Sequence, residues 1–184
     1  MDGTLSFETK PTLTGALVDL RPVREEDAAG LAAVEPETLR LTGTHTTHSM
    51  EALRAWYRSR AEHNDRLDVS IIERSTESWV GEVVLNDLDP VNRLCSLRIL
   101  IAAVANYGRG FGTEATTLVL DHAFNAVGVH RVELEVYRFN PRARHVYEKV
   151  GFVYEGTKRR ALLWDDEWID ADLMSVLASE WRAA

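Results

Sequence analysis

Three glycines at alternate positions, Gly108, Gly110 and Gly112, separate an apolar stretch from a segment with helical periodicity. The turn that they form leaves backbone N–H groups unpaired at the positive end of a helix beginning at about Thr113, and such groups can bind phosphate without a basic side chain. The same spacing is also found in purely structural turns between a strand and a helix. The glycines alone therefore leave a pyrophosphate site and a structural turn equally open.

Asn140 and Tyr147 lie downstream, after the next strand-like stretch. Asn140 directly precedes Pro141, which makes it a natural N-cap for a short helix. Tyr147 falls inside that helix, where a single tyrosine is most often a core residue with its hydroxyl satisfied. A phenol with a pKa near 10 can also supply a proton at neutral pH. Each residue thus allows a structural and a chemical interpretation.

Two acids and two histidines are candidates for a base or a metal ligand. Glu82 lies in a strand-like stretch and Asp87 at its end, and either could accept a proton, although acids of this kind are usually solvated surface residues. His45 and His48 would need two further converging ligands to hold a metal, and the surrounding TGTHTTHS is more simply a polar loop. We therefore expect no metal.

The elements that must position these residues alternate along the chain. Apolar alternation predicts strands, and amphipathic spacing with capping residues predicts helices. The predicted strands are 16–21, 67–72, 79–87, 97–104, 130–137 and a final hairpin within 152–177, whose turn holds Asp165 and Asp166. The predicted helices are 24–35, 50–64, 113–126 and 142–150. The strand, helix and strand from 97 to 137 form a crossover, so the glycine turn should lie at the carboxyl edge of a sheet.

Composition restricts the class of protein. A chain of 184 residues with 45% hydrophobic residues is expected to form one domain over 1–184, with residues 1–15 as a frayed arm. The net charge of −8 and the absence of a basic run argue against nucleic acid as a ligand. The single cysteine, Cys95, excludes an internal disulfide, and no stretch is apolar enough to span a membrane. These features predict a cytoplasmic protein.

The ordered motifs LRPVREEDAAGL, VGEVVLNDLDP, GRGFGTEA and HRVELEVYRFNPRARHVYEKVGFVYEGTKR resemble the GNAT acetyltransferases. The likeness is greatest to the branch related to the ribosomal-protein alanine N-acetyltransferases, and it covers nearly the whole chain. It implies a single α/β domain with a mixed sheet of about seven strands and about four helices, in which two strands splay apart at the acetyl-coenzyme A site. A dinucleotide fingerprint fits less well, because Glu133 and Glu135 fall inside a late strand.

The resemblance implies acetyl transfer from acetyl-coenzyme A to an amine, which is either a protein N-terminus or a small molecule. The end of the strand would pair with the pantetheine arm, the turn would bind the pyrophosphate through its N–H groups, and Asn140 would bind the coenzyme arm. Tyr147 would protonate the leaving thiolate, and the N–H of Ile101 or Ala102 would meet the oxyanion. The implied coenzyme residues are Leu100, Ile101, Ala102, Arg109, Gly110, Phe111, Gly112, Thr113 and Asn140.

The sequence differs from many related enzymes at the position of the catalytic base. Many related enzymes carry a glutamate early in the strand before the glycine turn, where this chain has Ser96, Leu97 and Arg98. Glu82, through a water, and Asp87, from the strand end, are the substitutes that we consider, and no base is needed if the substrate amine has a low pKa or loses its proton to bulk water. A module that binds coenzyme A without catalysis is the alternative. Trp164 and Trp168 flank the final turn and could line the acceptor channel, form a homodimer surface or cover the core.

Overall fold

The computed structural model describes residues 5–45 and 48–181. One eight-stranded sheet forms the centre, with the strand order β1-β2-β3-β4-β5-β6-β8-β7. All neighbouring strands pair antiparallel except β5 and β6, which are parallel as the crossover predicts. The strands are β1 Leu13–Thr14, β2 Val18–Pro22, β3 Leu67–Glu73, β4 Ser78–Asp89, β5 Leu94–Ile101, β6 Arg131–Tyr137, β7 Val153–Trp164 and β8 Glu167–Leu177. The mixed α/β fold is confirmed, with the two-residue β1 as the eighth strand.

Five α-helices connect these strands: α1 Ala28–Ala32, α2 Pro36–Leu41, α3 Met50–Arg60, α4 Phe111–Asp121 and α5 Pro141–Val150. The helix predicted over 24–35 is a 3₁₀ turn followed by α1, and α2 is separate because Pro36 starts a new helix at its first position. Ser49 caps α3, since its hydroxyl accepts the Ala52 N–H at 3.2 Å. A π-helix, His122–Val127, continues α4.

The two faces of the sheet are covered by different helices. Val83 of β4 joins the main core with Phe111 of α4, whereas the preceding Glu82 contacts Tyr57 of α3. Successive side chains of a strand point to opposite faces. Helices α4 and α5 therefore lie on one face and α3 on the other, and a site between the strands can be reached from both.

Strands β5 and β6 separate beside the glycine turn. Their parallel pairing ends at Ser96 and Glu133, although β5 continues to Ile101 and β6 to Tyr137. This is the splayed pair that the resemblance implies. It leaves one edge of the second half of β5 without a strand partner.

The long hairpin of β7 and β8 closes the sheet as predicted. Its turn residues Asp165 and Asp166 have φ values of 47° and 65°, which are the left-handed conformations of a two-residue hairpin loop. Strand β7 lies at the edge of the sheet and is mostly exposed.

The expectation that residues 1–15 form a frayed arm is wrong for residues 5–15. Phe7 is fully buried in the main core, and its N–H donates to the Asn64 carbonyl at 2.7 Å. Leu13–Thr14 pairs with β2. Residues 1–4 lie outside the described part of the chain. In the described residues, no helix has the length and apolar character that crossing a membrane requires.

Candidate active site

The glycine turn forms a nest of unpaired amides. Gly108 and Gly110 have φ values of 73° and 88°, so both positions need a residue that tolerates the left-handed region. The Glu114 N–H donates to the Gly110 carbonyl at 3.0 Å. It is the first amide of α4 with a backbone acceptor among the described residues. In the described residues no acceptor is found for the amides of 108–113. Helix α4 begins at Phe111, two residues before the predicted start, so Phe111, Gly112 and Thr113 supply its free first-turn N–H groups.

Two carboxylates hold this turn in place. Glu73 of β3 accepts hydrogen bonds from the Arg109 guanidinium, and bonds from Ser75 and from Arg109 keep the pKa of Glu73 below its usual range. Glu114 accepts the N–H groups of Ala16, Leu17 and Val18 at 2.8–2.9 Å. The Arg109 side chain is therefore held by Glu73, while its backbone N–H has no acceptor among the described residues.

The end of β5 exposes different backbone groups from those expected. The Ala102 N–H donates to the Val80 carbonyl at 2.9 Å, so it faces β4 and cannot meet an oxyanion. The backbone N–H groups of successive residues in a strand point to opposite edges. The N–H of Leu100 therefore points to β4, like that of Ala102, and Glu82 lies opposite Leu100 in the register. Ile99 and Ile101 then face the gap between β5 and β6, and the Ile101 carbonyl accepts from Thr38. Of these two residues, the sequence expectation named Ile101 and not Ile99.

Asn140 caps α5 at the far side of the gap. Its Oδ1 accepts the Ala143 N–H at 3.1 Å, and its Nδ2 donates to the Leu41 carbonyl at 3.3 Å. The structural interpretation of Asn140 is therefore correct. An amide nitrogen has two hydrogens, so the side chain retains donor capacity for a ligand.

Tyr147 lies on the inner face of α5, only 7% exposed. Its ring meets Phe152 edge-on at 5.7 Å, and both belong to the main core. Its hydroxyl has no hydrogen-bond partner among the described residues and is not among the fully enclosed polar atoms. Burial raises the pKa of Tyr147, so the phenol keeps its proton at neutral pH.

Glu82 is not the solvated surface acid that the sequence favours. It is partly buried, and its Oε2 accepts the Tyr57 hydroxyl at 2.6 Å. The other oxygen, Oε1, has no hydrogen-bond partner among the described residues and is not fully enclosed. Burial raises the pKa of Glu82 against the opposing effect of the Tyr57 hydrogen bond. A half-anchored carboxylate with a raised pKa has the properties of a general base.

The other candidates have simpler environments. Asp87 is exposed at a bulge of β4 with a φ of 54°. His45 stacks on Trp164 at 4.7 Å, while Trp168 is 57% exposed. In the ranges 5–45 and 48–181, no group of three or more His, Cys, Asp or Glu side chains is arranged to hold a metal.

Comparison with known proteins agrees with this geometry. The family described as acetyltransferase (GNAT) domain matches residues 18–153. Spermidine N(1)-acetyltransferase of Vibrio cholerae is 29% identical over 111 residues, covering 60% of this chain and 64% of that relative. Putative ribosomal N-acetyltransferase YdaF of Bacillus subtilis is 32% identical over 105 residues, covering 57% of each. These two alignments thus cover less than two thirds of either relative.

A solved structure gives the same fold. Spermidine N-acetyltransferase from Vibrio cholerae in complex with CoA and spermine superposes with a TM-score of 0.82 at 23% identity, covering 90% of this chain and 98% of that one. This chain belongs to the GNAT acetyltransferase family. It is an N-acetyltransferase that uses acetyl-coenzyme A as the acyl donor and an amine as the acceptor.

Proposed function

We propose that the chain acetylates a primary amine of a small cationic molecule such as a polyamine, with Glu82 as general base and Tyr147 as general acid. The observation that carries the proposal is the partly buried Glu82 carboxylate, of which one oxygen is hydrogen-bonded to Tyr57 and the other has no partner among the described residues. In the register of β4 and β5, Glu82 lies opposite Leu100, the residue before Ile101, whose N–H faces the gap between β5 and β6. The amine and the thioester would then meet at the end of β5.

The donor site follows from the unpaired backbone groups. The free amides of the turn suit a pyrophosphate, and the free edge of β5 suits the pantetheine arm, which can pair with it as an added strand. The binding residues of this proposal are Ile99, Ile101, Arg109, Gly110, Phe111, Gly112, Thr113 and Asn140, of which Arg109 and the four residues after it act through their N–H groups.

The chemistry needs three groups of the chain. Glu82 removes a proton from the ammonium, directly or through a water, and the amine nitrogen then bonds to the thioester carbon. The Ile101 N–H donates to the oxyanion, since the Ala102 N–H is engaged by Val80. When the C–S bond breaks, Tyr147 donates its hydroxyl proton to the leaving sulfur.

The charge distribution favours a cationic acceptor. The chain carries a net charge of −8, which attracts cations towards its surface. Glu82 has no guanidinium or ammonium within hydrogen-bond distance among the described residues, so a substrate ammonium can supply the missing opposite charge. Relatives named for spermidine support the same class. A peptide N-terminus, suggested by the relative named as a ribosomal N-acetyltransferase, is the competing acceptor.

An acceptor panel tests this proposal. Spermidine, a monoamine and a peptide with an N-terminal alanine are each incubated with acetyl-coenzyme A, and acetylated products are measured. We expect the highest kcat/KM with spermidine and a loss of about 10²-fold in Glu82→Gln. Asp87→Asn, an exposed acid of the same strand, is the matched control and should keep the wild-type rate.

Two results would overturn the assignment. A higher kcat/KM for the peptide would replace the acceptor class. Coenzyme A binding without turnover on any acceptor would instead indicate a binding module.

A further inference from the structure

Three acidic side chains lie between the sheet and the helices α1 and α3, and their partners differ. Asp27 is bound by Arg21 at 2.8 Å, and Asp68 is bound by Arg66 at 2.6–2.7 Å. Both aspartates are nearly fully buried, at 5% and 6% exposed. Glu82 differs from both because its bond is to a neutral phenol.

The choice of partner determines what a buried carboxylate can do. A guanidinium at hydrogen-bond distance neutralises the carboxylate and holds it ionised, which suits a structural role. A phenol also stabilises the ionised form by donating a hydrogen bond, but it brings no positive charge. Glu82 is therefore kept available for a proton or a cation that comes from outside the protein.

We propose, on the basis of the proposed function, that Tyr57 is a positioning residue of acetyl transfer: its hydroxyl fixes Oε2 of Glu82 and leaves Oε1 free for the acceptor amine. Tyr57 is well suited to this role. It is 3% exposed, it packs with Leu53 and Ala28, and it lies on α3, whose first turn Ser49 caps. The ring is thus fixed by packing and only the hydroxyl reaches the strand.

The groups around Glu82 leave Tyr57 as its one direct donor among the described residues. Arg98 of β5 and Arg66 favour the charged form of Glu82 from a distance, and Asp68 of β3 opposes it. Burial and the nearby Glu82 charge raise the pKa of Tyr57, so its hydroxyl remains a donor throughout the pH range of an assay. Loss of the hydroxyl should therefore weaken the charged form of Glu82 and raise its pKa.

The test is the pH dependence of kcat/KM for spermidine acetylation in Tyr57→Phe. The base must be ionised, so the rate falls as the pH drops through the pKa of Glu82. We expect the acidic limb of Tyr57→Phe to lie about one pH unit or more above that of the wild type. The variant is then much slower than the wild type on this limb and closer to it at high pH.

Two controls separate positioning from a general defect. Tyr154→Phe removes an exposed tyrosine hydroxyl, bonded to Thr157 at 2.8 Å on β7, and should leave the profile unchanged. In a Glu82→Gln background, adding Tyr57→Phe should no longer change the pH profile, because the titrating group is gone.

The possible outcomes are distinct. A rate ratio of Tyr57→Phe to wild type that is the same at every pH overturns the positioning role, even if the rate is low. A profile shift that persists in the Glu82→Gln background overturns it as well. Absence of amine acetylation by the wild-type chain removes the proposed function, and the positioning role with it.

Discussion

Burial changes the acid–base properties of two side chains in the site. It raises the pKa of Glu82, which makes the carboxylate a stronger base than an exposed one, and it raises the pKa of Tyr147, which retains the phenolic proton. Glu82 lies on the α3 face and Tyr147 on α5, on the opposite side. The residues proposed to take and to give a proton therefore approach the end of β5 from two sides.

The substitution Tyr147→Phe tests whether Tyr147 is the general acid. The substitution keeps the ring in the core against Phe152 and removes only a hydroxyl for which no partner is found among the described residues. We expect kcat to fall by about 10²-fold, since general acid catalysis typically contributes that much. Calorimetric titration should give an unchanged Kd for coenzyme A. An unchanged kcat would exclude Tyr147 as the acid.

The glycine turn, with α4 behind it, is the element that we propose to orient the donor. Its conformation is fixed from three directions: left-handed glycines within it, Glu73 holding Arg109, and Glu114 holding the N-terminus of β2. The last two links join residues 36 and about 97 positions apart. The turn is thus ordered by long-range contacts as well as by its own glycines.

Gly110→Ala should disturb this element. The position has a φ of 88°, and an added Cβ would lie 2.9 Å from Cδ1 of Leu17. A side chain at positive φ costs about 1–2 kcal/mol, so the turn should relax and its amides lose alignment. We expect the Kd for coenzyme A to rise by about tenfold. Gly156→Ala is the control, since Gly156 has open space around it; an equal effect of both changes would argue against the turn.

Local patterns predict the elements well where the pattern depends on neighbours in the sequence. The alternation of Val132, Leu134 and Val136 predicts β6, and the Asp165 and Asp166 pair predicts the hairpin turn. The pairing of Tyr57 with Glu82 joins residues 25 positions apart, so no local pattern indicates it. In the sequence, Tyr57 and the adjacent Trp56 both fit the apolar spacing of α3. Tyr57 is 3% exposed and Trp56 is 48% exposed, so the spacing does not show which of them points to the sheet.

The backbone assignments show the same limit. The sequence places the coenzyme contacts at the end of the apolar strand, and Ile101 lies there. Every second amide of β5 bonds to β4, and the others face the gap. The bond from the Ala102 N–H to the Val80 carbonyl shows which set is which. This alternation follows from the pairing of β4 with β5. The sequence alone therefore could not tell whether the N–H of Ile99 or that of Leu100 faces the gap.

In the molecule as a whole, residues 5–15 are part of the folded unit. Phe7 is fully enclosed by the main core, and Lys10 donates to the carbonyls of His63 and Arg66. The composition of residues 1–15 is polar, and a single aromatic residue within it gives little signal. The hydrogen bonds of Phe7 and Lys10 join residues more than fifty positions apart.

Phe7→Ala should therefore destabilise the whole domain. Truncating a fully buried phenylalanine costs about 3–5 kcal/mol in the free energy of unfolding, which urea denaturation measures. Leu163→Ala, at a side chain that is 44% exposed on β7, should cost about 1 kcal/mol or less. Equal stability of Phe7→Ala and the wild type would show that the segment is not part of the cooperative unit.

In the proposed reaction, the acetyl group passes from coenzyme A to an amine bound beside Glu82. The most direct measurement counts free coenzyme A thiol and acetylated spermidine in the same reaction over time. We expect one acetylated amine for each thiol released, with both rates reduced together in Glu82→Gln. Tight coenzyme A binding with a thiol release that spermidine and other primary amines leave unchanged would exclude this transfer.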